Sequence, residues 1–374
     1  MDESRRSRVP YGFLGMIAIV VLVEVLLARR PIAISTVASW NRQFSAESAS
    51  LRSPGHDVLF FGDSLIKLGL VPKIIEDDSG QSAFNLAAAS SPAPSTYVML
   101  RRALDAGAKP KAIIIDFGPG LLAAAPDKDI RNASEVLRLG EFLDLAMTSR
   151  SVPYASSFAL RWVLPTVRRR SEIRKAIVSA WRGEIGHDLE TNRACLRNWL
   201  QNDGAHLAAV STTASPDSGS DTTSAGQLHV HRVNREYVDR IFAMAASKGI
   251  RAYWLLPPTN PQSPRQGLET SYTAFVKSVK AKHPEITILD ARHSGYDASV
   301  FFDPVHLDVR GAVALSRSIA RAISDPSDKS PKWIALAKPE FSPGQRLPED
   351  FEQSKIAVVA EHFRAGRVIM STRK

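Results

Sequence analysis

Three side chains in this sequence have the types and the contexts that nucleophilic catalysis requires. Ser64 follows an apolar run, residues 58–61, and the pair Gly62-Asp63. A serine hydroxyl is a weak nucleophile unless a histidine takes its proton, and that histidine must be oriented by an acid. Asp303 and His306 lie three residues apart in the segment DPVH, so one tight loop can present both groups. The residues predict a nucleophilic Ser64 with His306 as its base and Asp303 as the partner of the imidazole.

The elements around these residues alternate between strands and helices. Short apolar runs predict five strands, at residues 58–61, 83–86, 112–117, 250–256 and 286–289. Helical spacing predicts helices at residues 96–106, 236–247, 269–282 and 309–323. This rhythm is typical of an α/β fold around a mostly parallel sheet of about five strands. Because ligands bind at the carboxyl ends of such strands, we expect Ser64 and His306 to be neighbours there.

Two regions depart from the alternation. Residues 121–235 are far longer than a crossover helix, which indicates a largely helical insertion within the domain at residues 57–325. The insertion either covers the site or packs away from it. Its segment 211–226 is rich in serine and threonine and predicts a loop. Residues 326–374 form a C-terminal tail with one predicted helix near residues 355–363.

The N-terminal region, residues 1–30, predicts a membrane anchor. An apolar run at residues 9–28 lies between arginines, and it is just long enough to span a bilayer. Glu24 would be costly in hydrocarbon, although it lies near one end. An uncleaved single-pass signal-anchor with the catalytic domain outside the cytoplasm is preferred to a cleaved signal peptide or a soluble helix. Residues 31–56 are a polar juxtamembrane segment.

Composition excludes several classes of function. Apolar residues make up 44% of the chain and charged residues 23%, as in ordinary globular proteins. The net charge of +10 comes from scattered basic residues without interleaved aromatic residues, so nucleic-acid binding is not expected. The single cysteine, Cys195, excludes an intramolecular disulfide. His229 and His231 lack a third ligand at a diagnostic spacing, and the chemistry requires neither a metal nor another cofactor.

Two segments resemble blocks of a known family. FFGDSL is similar to the first block of the SGNH or GDSL hydrolases, and DPVHL is similar to their last, with matching order over residues 57–118 and 236–323. Ile66 stands where Gly-x-Ser-x-Gly has its second glycine, which disfavours an ordinary α/β-hydrolase. The resemblance implies a three-layer, flavodoxin-like fold. It also implies that Ser64 attacks an ester, that His306 acts as base and then acid, and that Asp303 stabilises the imidazolium.

The same resemblance implies an oxyanion hole made from the backbone N–H of Ser64 and that of Ala89 or Ser90. Asp63 is a supporting residue, and Asn85 either fixes this loop or closes a turn on its own backbone. The family's third block has Gly-x-Asn-Asp, where this chain has Gly-Pro-Gly-Leu at residues 118–121. Loss of one oxyanion donor costs roughly 3 to 4 kcal/mol of transition-state stabilisation. Another donor is therefore needed, or activity is low.

Three functions remain open on this basis. The default is an acyl or acetyl esterase acting on a small acyl ester or an acylated carbohydrate. The anchored, divergent blocks also resemble SGNH-like proteins that acetylate exported polysaccharides, so an O-acyltransferase served by a membrane-bound acyl donor is the alternative. A catalytically silent binding or assembly module is the third, and the intact Ser64, Asp303 and His306 count against it.

Overall fold

The structure, a computed structural model, describes residues 11–29, 35–51, 55–125, 130–210, 227–263, 266–324, 332–341, 344 and 346–371. Side chains are described throughout these ranges except at residues 28, 29, 131, 266, 267 and 362–371. The predicted loop at 211–226 and the ends of the predicted anchor run lie outside what is described.

A single six-stranded sheet lies at the centre of the chain. Its strands are β1 (Val58–Phe61), β2 (Ala83–Asn85), β3 (Ala112–Ile115), β4 (Arg251–Leu256), β5 (Thr287–Asp290) and β6 (Trp333–Ala335). All neighbours pair in parallel, in the order β2-β1-β3-β4-β5-β6. The α/β fold with a parallel sheet is thus confirmed. The order reverses direction between β1 and β3, and a crevice opens at such a switch point beyond the carboxyl ends of the strands.

Helices cover both faces of the sheet, because successive strand residues point to opposite sides. On β1, Leu59 and Phe61 face one core and Val58 and Phe60 face the other. The first core includes the helices at residues 93–105, 232–247 and 266–282, and the second includes those at residues 64–69, 72–79 and 309–323. The strands are buried on both faces, which explains why they appear in the sequence as continuous apolar runs.

The helices that pack on the sheet include α3 (Ser64–Gly69), α4 (Pro72–Ser79), α5 (Ala93–Asp105), α13 (Arg232–Ser247), α14 (Gln266–Lys282) and α15 (Val309–Ile323). The predicted insertion, residues 121–235, is largely helical where it is described, with loops at residues 202–210 and 227–231. It contains most of α6 (Pro119–Ala123), followed by α7 (Ile130–Val136), α8 (Leu139–Ser149), α9 (Val152–Val163), α10 (Pro165–Arg168), α11 (Arg170–Arg182) and α12 (Ile185–Gln201).

Two segments are more ordered than the sequence analysis expected. The tail at 326–374 supplies β6, which extends the sheet beyond the five predicted strands, and α16 (Phe351–Ser371), which packs against α12. Three-residue β6 was missed because it is too short to show an apolar period. The juxtamembrane segment contains α2 (Val37–Ser48), which was missed because its buried side includes serine, asparagine and arginine rather than apolar residues.

The N-terminal helix α1 (Tyr11–Arg29) projects its large apolar side chains outward, and they are exposed from Tyr11 to Leu26. Within the described ranges, none of the helices combines the length and the apolar character needed to span a bilayer. The α1 helix packs against α10 of the insertion.

Candidate active site

Ser64 begins α3 directly after a strained turn at the end of β1. Gly62 has a φ of +133°, a backbone conformation that side chains rarely allow. A Cβ at this position would lie 1.9 Å from Asp116 Oδ1, so both the conformation and the space require glycine. Asp63 then caps α3, because its Oδ1 accepts the Leu65 N–H at 2.7 Å. These two residues present Ser64 at the carboxyl edge of the sheet.

The loop between β5 and α15 carries the other two predicted residues. Asp303 Oδ1 accepts the N–H groups of Val305 and His306, each at 2.8 Å, and this closes the loop. The other oxygen, Oδ2, lies 2.7 Å from His306 Nδ1. His306 Nε2 in turn lies 2.8 Å from Ser64 Oγ. The structure therefore brings the three residues together in one continuous chain of hydrogen bonds, as the sequence analysis predicted.

The electrostatics of this chain favour an ionised aspartate beside the imidazole. Burial raises the pKa of Asp303, but the hydrogen bond and charge of His306, together with two backbone N–H groups, outweigh burial and hold the pKa below its usual value. The side chains of Asp303 and His306 are each 20% exposed, so a substrate can reach them while most of their surface is desolvated. A carboxylate in this position fixes the imidazole with its proton on Nδ1 and leaves Nε2 to accept the serine proton.

A second buried acid lies under the Ser64 turn. Asp116 follows β3, and the pairing of Phe61 with Ile115 places it beside Asp63. Its Oδ1 accepts the Asp63 N–H at 3.0 Å, which brings the two acids together. Both side chains are buried, and burial together with the charge of Asp63 raises the pKa of Asp116 well above its usual value.

Burial also raises the pKa of Asp63, but the Leu65 N–H and the charge of His306 oppose that rise, so we assign a proton of the pair to Asp116. Among the described residues Asp116 Oδ2 has no hydrogen-bond partner, whereas Asp63 Oδ1 accepts the Leu65 N–H at 2.7 Å. A Cβ on Gly118 would lie 2.5 Å from Asp63 Oδ2, so the turn after β3 packs tightly on this carboxylate. The pair ties the ends of β1 and β3 together beneath the nucleophile.

The loop after β2, residues 86–91, supplies the predicted oxyanion donors. The Ala88 N–H donates to Gly62 O at 3.0 Å, which holds this loop against the Ser64 turn. Ser90 has a φ of +54°, a left-handed conformation that residues other than glycine adopt infrequently. In the described part of the chain, no acceptor is found for the backbone N–H of Ser64, Ala89 or Ser90. Their role as oxyanion donors stays a prediction.

Side chains of β2 and α2 hold the oxyanion loop, residues 86–91, in place. Asn85 is buried, and it donates to Ile66 O and Leu70 O while its Oδ1 accepts the Ala87 N–H at 3.0 Å. It thus joins the loop to α3 as well as closing a turn on its own backbone. From α2, Ser45 Oγ donates to Ala87 O at 2.7 Å and Arg42 donates to Ala89 O at 3.3 Å. The loop is supported from three elements.

Lys67 completes this support from α3. Its side chain is fully buried, and its Nζ donates to Ser45 Oγ at 2.8 Å and to Gly204 O at 2.7 Å. No carboxylate pairs with it among these contacts, and burial lowers its pKa to about 7. The sequence analysis assigned no role to Lys67 or to Asp116. For Asp116, a single acid ending an otherwise apolar strand was a usable signal.

A small cavity of about 80 Å³ opens beside the nucleophile. Leu65 and Val305, the neighbours of Ser64 and His306, form part of its wall. Most of the remaining lining is apolar and comes from the ends of β3 and β4 and from α14: Phe117, Pro257, Pro258, Leu268 and Tyr272. Asn260 brings a side-chain amide to the same cavity, whereas the residue at the family's asparagine position, Gly120, lies in α6.

The histidines that the sequence analysis weighed as metal ligands are His229 and His231. His231 caps α13 by accepting the Val233 N–H at 3.2 Å, and the described residues contain no group of three or more potential metal ligands.

No model of a known protein family matches the chain, and no curated protein is significantly similar to it. Fold and site together define an α/β protein with a serine, a histidine and an aspartate in hydrogen-bond contact at the switch point of its sheet.

Proposed function

We propose that this protein is a serine-dependent ester hydrolase of the SGNH type that acts on short acyl esters. The observation that carries the proposal is the chain of contacts from Ser64 Oγ to His306 Nε2 at 2.8 Å and from His306 Nδ1 to Asp303 Oδ2 at 2.7 Å. A base within hydrogen-bond reach of a serine, itself oriented by an acid, is the arrangement that makes a serine hydroxyl nucleophilic.

In the proposed reaction, Ser64 Oγ attacks the ester carbonyl while His306 Nε2 takes its proton. The tetrahedral oxyanion is bound by the N–H of Ser64 and by those of Ala89 and Ser90, which lack acceptors of their own. His306 then donates the proton to the leaving alkoxide, so the alcohol departs and an acyl-enzyme remains. Water attacks this intermediate with His306 again as base, which releases the acid and restores Ser64.

The cavity beside Ser64 suits the acyl group of the substrate. One water needs roughly 10 to 15 Å³ on this measure, so a cavity of about 80 Å³ holds about five to eight non-hydrogen atoms. Its mainly apolar lining favours a hydrocarbon chain over a sugar ring. We therefore expect esters of acids with two to about six carbons to be preferred to those with long acyl chains.

The test compares the native chain with Ser64→Ala on chromogenic acetate, butyrate and octanoate esters. Ser64→Ala should lower turnover by on the order of 10⁴- to 10⁶-fold, because no nucleophile remains. Ser247→Ala, which removes an exposed hydroxyl at the end of α13, is the matched control and should leave turnover unchanged. Labelling by a fluorophosphonate should also disappear only in Ser64→Ala. Equal turnover in the native chain and Ser64→Ala would rule out the proposal.

The same acyl-enzyme can pass its acyl group to a sugar hydroxyl instead of water. Assays with and without a polysaccharide acceptor therefore distinguish the two reactions. An acceptor-dependent rise in ester consumption, with acylated polymer as product, would make the protein an O-acyltransferase. Unchanged consumption would leave it a hydrolase.

We propose further that the apolar run at residues 9–28 attaches the chain to a membrane. The described part of α1 has one charged side chain, Glu24, and the carboxylate of Glu24 accepts hydrogen bonds from both the backbone N–H and the hydroxyl of Thr166. This pairing removes the main objection to placing α1 in lipid, because a carboxylate bound by α10 does not face hydrocarbon alone. Membrane fractionation of the full chain tests this attachment.

A further inference from the structure

Helices α8 and α9 of the insertion pack together as a hairpin whose outer side is apolar. Seven large apolar side chains are exposed on the two helices: Leu139, Leu143, Met147, Val152, Leu160, Trp162 and Val163. On α8 they recur at every fourth position, which places them on one face. On α9 none of the exposed residues is charged. An exposed apolar surface of this extent is uncommon on a soluble monomer and marks an interaction site.

The fold itself does not need this outer surface. The inner side of the hairpin has its own core, in which the rings of Phe142 and Phe158 stack with centroids 3.6 Å apart and Tyr154 is buried against Phe142. The α9 helix therefore has large apolar side chains on both sides, with Ser156 and Ser157 as exposed polar residues among them. A helix that is apolar all round is normally buried in a protein or in a membrane.

Continuity with α1 indicates which of these two applies. The α10 helix directly follows α9, and Arg169, just beyond it, donates to the Leu27 carbonyl of α1 at 3.0 Å. Thr166 of α10 binds Glu24. These contacts involve only the last turns of α1. At 1.5 Å per residue, residues 11–23 extend roughly 20 Å away from them. The end of α9 is therefore joined through α10 to the last turns of α1.

The polar residues around the hairpin fit a lipid headgroup layer. An exposed arginine, Arg150, lies in the turn between α8 and α9, and a second, Arg170, begins α11 beyond α10. Trp162 lies in the last turn of α9, and tryptophan is enriched where hydrocarbon meets headgroups. Basic side chains beside an apolar helix face are typical of helices that lie in the plane of an anionic membrane.

We propose that the α8–α9 hairpin is a lipid-binding surface, lying in the interfacial layer of a bilayer that contains anionic phospholipids. The apolar side chains face the acyl chains and the arginines face the headgroups. This proposal rests on the membrane attachment proposed for α1, but it does not depend on the ester hydrolase activity. It assigns the insertion a role in orienting the catalytic domain at the membrane.

Site-directed spin labelling of the full chain tests this surface. The native Cys195 is buried, and burial raises the pKa of its thiol to about 12, so an introduced cysteine will be labelled selectively. Leu160→Cys and Met147→Cys probe the hairpin, Val20→Cys probes α1, and Lys277→Cys on the exposed side of α14 is the control. Thermal unfolding of each labelled protein shows that it is folded. The proteins are reconstituted in vesicles of phosphatidylcholine with phosphatidylglycerol.

Labels at residues 160 and 147 should lose collisions with a water-soluble nickel chelate and gain collisions with oxygen, as a label at residue 20 should, whereas residue 277 stays accessible to nickel. If residues 160 and 147 behave like residue 277 while residue 20 is in lipid, the hairpin proposal is wrong and the anchor stands. Shielding of residues 160 and 147 from both reagents would indicate a protein occupant, such as a second copy, and also overturn it. Lipid contact at 160 and 147 but not at 20 would support the hairpin and refute the anchor.

Discussion

The two loops that build the candidate active site are held in place in different ways. The loop with Asp303 and His306 is closed by its own residues, because one Asp303 oxygen accepts two N–H groups from the same turn. The Ser64 turn depends on partners far along the chain. Asp116 lies 53 residues away, and Asn85 and Lys67 connect the turn to β2 and to Gly204. One loop is local and partly exposed, and the other is non-local and buried.

This difference separates two kinds of contribution to catalysis. In the local loop, Asp303 has a structural role through Oδ1 and a chemical role through Oδ2. In the buried turn, the groups that fix the geometry do not touch the reacting atoms. We therefore expect substitutions in the first loop to affect chemistry more than stability, and substitutions beneath the turn to affect stability first.

Of the substitutions that test the difference between the two loops, Asp303→Asn should have the largest effect on turnover. The new amide oxygen can still accept the N–H groups of Val305 and His306, so the loop is kept. The amide NH₂ faces His306 Nδ1 and forces the imidazole proton onto Nε2, where it blocks proton transfer from Ser64. Turnover of the acetate ester should fall on the order of 10⁴-fold. The free energy of unfolding should change by less than about 1 kcal/mol.

Asp303→Ala is the comparison that separates the two roles. It removes both oxygens, so turnover should fall as far as in Asp303→Asn, and unfolding should become easier by about 1 to 3 kcal/mol because two N–H groups lose their acceptor. Denaturant unfolding measures this difference. Retention of turnover within about tenfold in Asp303→Asn would mean that Asp303 only closes the loop and does not set the histidine tautomer.

The carboxyl pair under Ser64 gives the next largest effect, and here two conservative exchanges should differ. Asp116→Asn replaces a protonated carboxyl by an amide that can donate to Asp63 and accept its N–H, so stability should change by less than about 1 kcal/mol. Asp63→Asn turns one oxygen of the carboxylate that accepts the Leu65 N–H into an NH₂ group. It should cost about 1 to 3 kcal/mol and lower turnover, because the cap of α3 and the contact with Gly118 are disturbed.

Unfolding curves and turnover of both variants check this assignment, with Asp116→Leu as the variant that removes the pair. The reverse order, in which Asp116→Asn is the more damaging exchange, would place the proton of the pair on Asp63. Equal and small effects of all three variants would show that the pair does not position the Ser64 turn.

The difference between local and non-local contacts also explains how much of the structure could be predicted from the sequence. Five strands, the parallel sheet and the grouping of Ser64 with His306 were predictable, because apolar runs mark buried strands and the carboxyl ends of parallel strands meet. Asp303 was predictable because its contacts span three residues. The pairing of Asp116 with Asp63 depends on the register of β1 and β3, and the contacts of Lys67 depend on where residues 202–206 return to the sheet. No local pattern encodes either.

Helices α2 and α9 were hard to predict for a second reason, which is that neither has the usual amphipathic pattern. The polar buried side of α2 gave no apolar period, although Ser45 and Arg42 hold the oxyanion loop. In α9 the apolar residues on the outer side obscure the pattern that Tyr154 and Phe158 make on the inner side. Amphipathic spacing predicts a helix with one apolar and one polar side, and neither of these helices has that pattern.

Lys67 provides the most specific test of whether the Ser64 turn depends on buried, non-local contacts, because its effect appears only as a change of stability with pH. Burial lowers its pKa to about 7 in the folded chain from 10.5. Between these two values the unfolded chain binds the proton and the folded chain does not, so this group makes stability rise with pH. Below about pH 7 both states are protonated and the contribution stays constant. The slope is at most about 1.4 kcal/mol per pH unit.

Urea unfolding from pH 6 to pH 10 measures this dependence in the native chain, in Lys67→Met and in Lys73→Met, which removes an exposed lysine from the neighbouring α4. Other groups titrate over the same range, so the informative quantity is the difference between each variant and the native chain. Above pH 7 the free energy of unfolding should rise less in Lys67→Met than in the native chain. In Lys73→Met it should rise as much as in the native chain. The same rise in all three proteins would mean that Lys67 keeps its proton when folded, because its three oxygen acceptors at 2.7, 2.8 and 3.5 Å compensate for burial.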